Sequence, residues 1–292
     1  MTGKVSEHRD AKGIMTELEE KVARLACWKE PVQLAPLKGG LTNISFVVTH
    51  RGEKFVARCG EDIPVHHVFR DRERAASMAA FEAGLSPELI HAEPGITVLR
   101  FIEGRTFAEA DLRANVGRLA DLLKQCHGKV ARHVRGPANT FWVFHVIRDY
   151  ATLIDADRRY LAIADRLERA QVPLPIVFGH HDLLPGNLMD DGRRLWLIDW
   201  EYGGFGTAMF DLANLSSNGS FDAAQDAALL DAYFAGKADD ALRRSFAAMK
   251  AASALREALW AMVSEVHLRT PGIDYKAHAE EYLGRFQRLM PA

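Results

Sequence analysis

The sequence predicts a mixed α/β (α+β) chain in two lobes, one built on a sheet and one mainly helical. Three observations carry this. Short apolar runs separated by turn residues occupy residues 34–58 and 89–102, as strands do. From residue 111 onward, apolar side chains recur at helical spacing over long segments. A length of 292 residues, 48% apolar and 26% charged, is enough for one large core or two modest ones.

Taken in order, Ile14, Leu18, Val22, Leu25 and Ala26, with Glu17, Glu19 and Glu20 near the start, predict an amphipathic helix over 14–28. Strands follow at 34–37, 44–48 and 54–58, the last after the Arg51-Gly52 turn. Between the first two lies Lys38-Gly39-Gly40-Leu41-Thr42-Asn43. Glycines without Cβ let backbone N–H groups approach a polyphosphate, and Asn43 can fix the loop or donate directly; an ordinary β-turn fits the same residues. Val68, Ala75, Ala76, Ala79 and Phe81 mark a helix over 68–83 that Gly84 ends, and strands follow around 89–91 and 96–102. Leu112, Val116, Leu119, Leu122 and Leu123 form the stripe of a helix over 111–127, closed by Gly128, with His127 read as a capping or core residue. After an irregular connection over 128–142, a helix over 150–170 stops at Gln171-Val172-Pro173-Leu174-Pro175. Helices over 221–235, 239–269 and 275–290 complete the chain, separated by Gly236 and Pro271-Gly272.

The chemistry gathers in residues 176–214. Pro175-Ile176-Val177-Phe178 reads as a short strand that delivers His180, His181 and Asp182 into a turn. Pro185-Gly186 bends that turn so that Asn187 shares a pocket with Asp182. Asp190-Asp191-Gly192 is a hairpin signal, and the return strand over 195–198 ends on Asp199, which brings a second carboxylate beside the first. Two carboxylates and an amide are hard oxygen donors that suit Mg²⁺, and the carboxylate left over can orient a hydroxyl nucleophile. Either half alone also reads as an Asx-capped turn or a strand that merely ends. A transition-metal site built from His180, His181 and Asp182 with His66 and His67 lacks any HExxH or Cys/His spacing.

His180-x-Asp182-x-x-x-x-Asn187, followed by Ile198-Asp199-Trp200-Glu201-Tyr202-Gly203-Gly204 and Asp211-Leu212-Ala213-Asn214, resembles the choline/ethanolamine kinase family, within the aminoglycoside phosphotransferase group of protein-kinase-like folds. The resemblance spans most of the chain. It implies a nucleotide-binding lobe over 1–103 and a catalytic and substrate-binding lobe over 104–292. It makes Asp182 the catalytic aspartate, Asn187 and Asp199 the Mg²⁺ ligands, and Asp211 and His180 the structural support of the catalytic loop. Gly39, Gly40, Thr42 and Asn43 become the loop over the phosphates of ATP. Arg58 is then the basic residue against those phosphates, with Glu73 as its partner and Asp71 as the nearest rival. Residues 101–103 become a hinge whose backbone meets the adenine edge.

The acceptor that the resemblance implies is a small-molecule alcohol, specifically a cationic amino alcohol such as choline or ethanolamine. Glu201 lies two residues past Asp199, so an extended backbone would put both on one face, with Tyr202 next to them. Trp260 stands about where choline kinases surround a quaternary ammonium with aromatic rings; a buried core aromatic is the alternative. Those enzymes usually place an acidic residue near the position of Asn218 and a second tryptophan near Val263, and this chain has neither. Thiamine, an aminoglycoside or a sugar therefore stays open as acceptor. A kinase-fold binding or regulatory protein without turnover is the rival from another class. Intact Asp182, Asn187 and Asp199 speak against it.

Composition narrows the partners. With 37 basic against 39 acidic side chains, the net charge of −2 gives no general electrostatic case for nucleic acid or an anionic membrane. Cys27, Cys59 and Cys126 lack metal-ligand spacing and read as reduced thiols in a cytoplasmic protein. The polar start has no signal-peptide core, and no apolar run reaches membrane-spanning length.

Overall fold

Alternation of buried and half-exposed side chains builds the first sheet in the computed structural model, which describes residues 11–37, 43–270 and 272–290. Strands β1 (Gln33–Leu37), β2 (Ile44–His50), β3 (Glu53–Cys59), β4 (Leu89–Glu93) and β5 (Ile96–Arg100) pair antiparallel in the order β1-β2-β3-β5-β4. Phe46 and Val48 on β2 and Phe55, Ala57 and Cys59 on β3 point to one face, where they form a core with Val22 and Leu25. Val22 belongs to helix α1 (Ala11–Ala23). Arg58 lies between two buried residues of β3, so the pleat turns it to the opposite face of the sheet. Pro36, which cannot donate to a ladder, sits on the edge strand β1. Gly39, Gly40 and Thr42, expected in the phosphate loop, lie outside the described residues.

This sheet and α1 belong to one compact unit, Met1–Glu61 with Glu88–Phe101; Asp62–Pro87 and Ile102–Ala292 form the other. Residues 62–87 thus fall outside the small lobe expected over 1–103. The reason is packing: helix α2 (Arg70–Glu82) places Ala76, Ala79 and Ala80 in the core of the larger unit. After Gly84, whose φ of +78° turns the chain out of the helix, Leu197 N donates to Leu85 O at 2.9 Å and Ser86 Oγ donates to Leu197 O at 2.9 Å.

The larger unit continues with β6 (Arg105–Thr106), α3 (Glu109–Ala114), α4 (Val116–Lys129), β7 (Asn139–Thr140), α5 (Val143–Leu153) and α6 (Arg159–Arg169). Two predicted helices are thus each divided. Asn115 parts α3 from α4 by turning its Nδ2 onto Asp111 O at 2.9 Å, a local bond that competes with the helix ladder. Asp155, at φ +47°, ends the turn after α5, and Asp157 Oδ1 accepts from Arg159 N at 2.9 Å to start α6. Gly128 does not stop α4, which runs on to Lys129.

Next come β8 (Ile176–Gly179), β9 (Leu188–Asp190), β10 (Leu195–Leu197), β11 (Gly204–Thr207), α7 (Ala208–Asn218), α8 (Ala223–Phe234), α9 (Asp240–His267) and α10 (Tyr275–Leu289). The predicted hairpin is β9 and β10, antiparallel with Leu195 opposite Asp190, and β6 adds to its β9 edge. β11 pairs antiparallel with β8 and parallel with β7. Helix α7 carried no amphipathic signal because every one of its residues is buried. α9 packs against α5, α6, α7 and α10 and forms the middle of this core. Among the described residues no helix is long and apolar enough to cross a membrane.

Candidate active site

The site grows from the loop after β8, where the chain turns sharply at His181, φ +63°. The His181 ring fills the space between two glycines: a Cβ would stand 2.5 Å from its Nε2 at Gly179 and 2.8 Å at Gly206. Phe141 stacks on it at 4.5 Å, and its Nδ1 meets Tyr202 O at 3.1 Å. Burial pushes its pKa down to about 4, so His181 is neutral at pH 7 and packs the loop.

Asp211 anchors this turn from the first turn of α7. Its carboxylate is fully buried and accepts from His180 N and His181 N, each at 2.8 Å, and lies 2.9 Å from His127 Nε2. Burial acts to raise its pKa, but the His127 contact and the two backbone donors hold the carboxyl well below the usual carboxylate range. His127, whose Nδ1 also meets Tyr233 OH at 2.7 Å, is therefore an orienting residue that helical position alone did not reveal. His180 Nε2 lies 2.9 Å from Ile198 O, which ties the loop to the chain just before Asp199. α7 adds two further contacts. Asn214 Oδ1 accepts from Leu183 N at 2.6 Å, and Asn218 Nδ2 donates to Leu183 O at 3.2 Å. Spaced three and four residues apart, Asp211, Asn214 and Asn218 share one helix face.

Asp182 stands at the end of this framework, 8% exposed. Burial pushes its carboxyl up to about 7 against the opposing pull of Arg256. Asn187 donates Nδ2 to Asp182 O at 2.8 Å and to Asp182 Oδ2 at 3.1 Å, which leaves the amide oxygen as the atom to offer a cation. Ile198 N donates to Asn187 O at 3.0 Å, so Asp199 follows directly from a residue hydrogen-bonded to Asn187. At φ +65° Asp199 adopts a conformation that an Asp tolerates better than most residues. An amide oxygen and a carboxylate are hard donors of the kind that fit a divalent cation such as Mg²⁺. Among the described residues no group of three or more His, Cys, Asp or Glu is placed to hold a metal. His66 instead meets Tyr150 OH at 3.1 Å and Ser264 Oγ at 2.8 Å, and His67 meets Asp149 at 2.7 Å. The transition-metal alternative thus finds no support in the placement of these histidines.

The backbone does not stay extended from Asp199 to Glu201. β10 ends at Leu197, Asp199 is left-handed, and Gly203 N closes a turn onto Trp200 O at 2.9 Å, so strand alternation has already ceased. Glu201 is buried with an oxygen 3.4 Å from Arg70 Nη1, and the same nitrogen donates to Glu73 at 2.6 Å. Arg70, which sequence reasoning passed over, thus joins the two carboxylates singled out as nucleotide and acceptor residues.

Tyr202 and Trp260 do come together: Trp260 Nε1 donates to Tyr202 OH at 3.1 Å. One face of each ring is covered from within. The Arg256 guanidinium carbon stands 4.4 Å from the Tyr202 ring centre, and His66 stacks on Trp260 at 5.1 Å. Arg256 Nη1 lies 2.9 Å from Glu257 Oε2 and 3.8 Å from Asp182 Oδ1. Glu257 Oε1 in turn meets His278 Nε2 at 3.0 Å. This pair was legible in principle, since two charges interrupt the otherwise apolar run Ala254-Leu255-Arg256-Glu257-Ala258-Leu259-Trp260.

Residues 33–249 match the model of the phosphotransferase enzyme family. The chain is 26% identical over 212 residues to the protein LicA of Haemophilus influenzae, covering 67% of this chain and 61% of LicA. It is 27% identical over 203 residues to a probable ethanolamine kinase of Arabidopsis thaliana, covering 61% of this chain and 54% of that protein. It therefore spans roughly three-fifths or less of these two relatives' length. The crystal structure of a choline/ethanolamine kinase family protein from Mesorhizobium loti superposes with a TM-score of 0.77 at 29% identity, over 96% of this chain and 95% of that one. With the motif, the fold and the family model in agreement, this chain belongs to the phosphotransferase enzyme family, in the kinase-like fold of the choline/ethanolamine kinases.

Proposed function

We propose that the chain is a kinase that transfers the γ-phosphoryl group of ATP to the hydroxyl of a small amino alcohol of the choline and ethanolamine class. One observation carries the reading: Asp182 is held beside Asn187 in a loop that the buried Asp211 pins by two backbone donors. Asp182 accepts the hydroxyl proton as the oxygen bonds to the γ-phosphorus, the bond to the bridging oxygen breaks and ADP leaves. Asn187 and Asp199 supply the oxygens for Mg²⁺, which when bound neutralises charge on the phosphates. Arg58, with the loop of Gly39, Gly40, Thr42 and Asn43, is the proposed phosphate holder. Glu73 shares this nucleotide role in the proposal. Tyr202 and Trp260 wall the acceptor, and Glu201 and Glu257 bring negative potential for its ammonium. ATP as donor and the free Cys27, Cys59 and Cys126 fit a cytoplasmic setting.

The test is a transfer assay with ATP and Mg²⁺ on choline, ethanolamine, thiamine and an uncharged alcohol of similar size. Transfer to the amino alcohols that disappears on chelation of the metal is the expected result. Preference for the uncharged alcohol removes the amino alcohol from the reading, and absence of transfer to any small hydroxyl removes the kinase.

Arg58 gives a separate check. A charge-assisted fork on phosphate is worth about 1.5–3 kcal/mol, so Arg58→Ala raises the KM for ATP by about 10- to 100-fold while leaving the acceptor KM nearly unchanged. Steady-state kinetics with each substrate varied in turn measures this. An unaltered ATP KM and kcat would assign the phosphates to another residue.

A further inference from the structure

Arg256 carries more hydrogen-bonding capacity than its surroundings use. Arg256 is 1% exposed, and both Nε and Nη2 are buried without a hydrogen-bond partner among the described residues. Its third nitrogen, Nη1, is the one engaged by Glu257 and directed toward Asp182. The two unused nitrogens form one edge of the guanidinium, a planar fork whose spacing matches the two oxygens of a carboxylate. Leaving such donors buried and unpaired costs free energy, more for a charged group than for a neutral one. The cation is also committed elsewhere: it covers one face of Tyr202, a ring that would otherwise offer that face to the ammonium of choline.

Resting on the kinase reading above, we propose that the acceptor is an amino alcohol that also carries a carboxylate, and that Arg256 binds this group through its Nε and Nη2 edge. The same guanidinium that receives the carboxylate stands 3.8 Å from the oxygen of Asp182, so hydroxyl and carboxylate are a few bonds apart in a small molecule. Glu257 balances Arg256 on its other edge and keeps the charge oriented. A zwitterionic acceptor would meet both signs of charge beside Arg256 and Glu257, whereas choline and ethanolamine would meet only one.

The experiment compares matched pairs: ethanolamine with serine, which is ethanolamine bearing a carboxylate, and choline with carnitine, a quaternary ammonium alcohol bearing one. For each pair, kcat/KM is measured with ATP and Mg²⁺, and acceptor binding is measured by calorimetry without ATP. The wild type is expected to favour the carboxylated member of at least one pair by tenfold or more in both measurements. Arg256→Lys keeps the charge but loses the planar fork. The double variant Arg256→Gln, Glu257→Gln removes both charges and leaves no lone buried ion. In each variant the ratio is expected to fall toward one. Wild-type preference for the plain members, no preference in binding, or a preference that survives both variants overturns the proposal. If choline or ethanolamine is phosphorylated best, the kinase reading stands and only this inference fails. If nothing is phosphorylated, the kinase reading fails and the binding ratios alone decide the role of Arg256.

Discussion

Asp199→Asn lowers kcat on the order of 10³-fold, about 4 kcal/mol of transition-state stabilisation, while the protein stays folded. The substitution keeps the size of the side chain and one oxygen but removes the charge of the pair proposed for Mg²⁺, Asp199 with Asn187. Phosphoryl transfer rests on placement and charge neutralisation and not on covalent chemistry by the protein, so a lost charge at the metal acts directly on the rate. Asp199 is only half-buried and ends no helix or strand, so the fold does not depend on its carboxylate. Steady-state kinetics across a Mg²⁺ titration, with circular dichroism as the control for folding, checks the result. Wild-type turnover at ordinary Mg²⁺ would remove Asp199 from the metal site.

Asp211→Ala destabilises the larger unit by about 3–5 kcal/mol, because it leaves partners of a buried charge unanswered. His180 N and His181 N lose their acceptor, and His127 loses the oxygen at 2.9 Å. The pH dependence has a definite sign. The Asp211 carboxyl is held below its unfolded value, so its contribution is present in full above the ordinary carboxylate range and declines as pH falls below about 4. Thermal melts of wild type and variant therefore differ most near neutrality and converge in acid. A gap that stays constant from pH 7 down to pH 3 would show that Asp211 acts by shape alone.

The two substitutions separate chemistry from scaffold. Asp199 is proposed to hold the metal, and its loss is expected to show in turnover with little change in melting. Asp211 faces the backbone of the turn, and its loss is read first in melting and then in activity as Asp182 loses its fixed position.

The one-dimensional order of residues determined the elements whose signals are local. Hairpin β9–β10 follows from Asp190-Asp191-Gly192 between apolar runs, and the pairing of β2 with β3 follows from alternation around Arg51-Gly52. The meeting of Asp182, Asn187 and the approach of Asp199 belongs here too, since a strand, a tight turn and a hairpin fix the neighbours along the chain. Tertiary structure decided the rest. α7 is buried on all sides, so no periodicity marked it, yet it holds the catalytic turn through Asp211, Asn214 and Asn218. Its role depends on contacts between residues some thirty positions apart, which no local pattern encodes. The left-handed backbone at Asp199 breaks the strand alternation that would relate Glu201 to it, which no local pattern foretold. Arg256 stood in the sequence only as a charge in an apolar helix. Its distance of 3.8 Å from Asp182 exists because α9 passes through the core beside a loop more than seventy residues earlier, which takes its charge out of water.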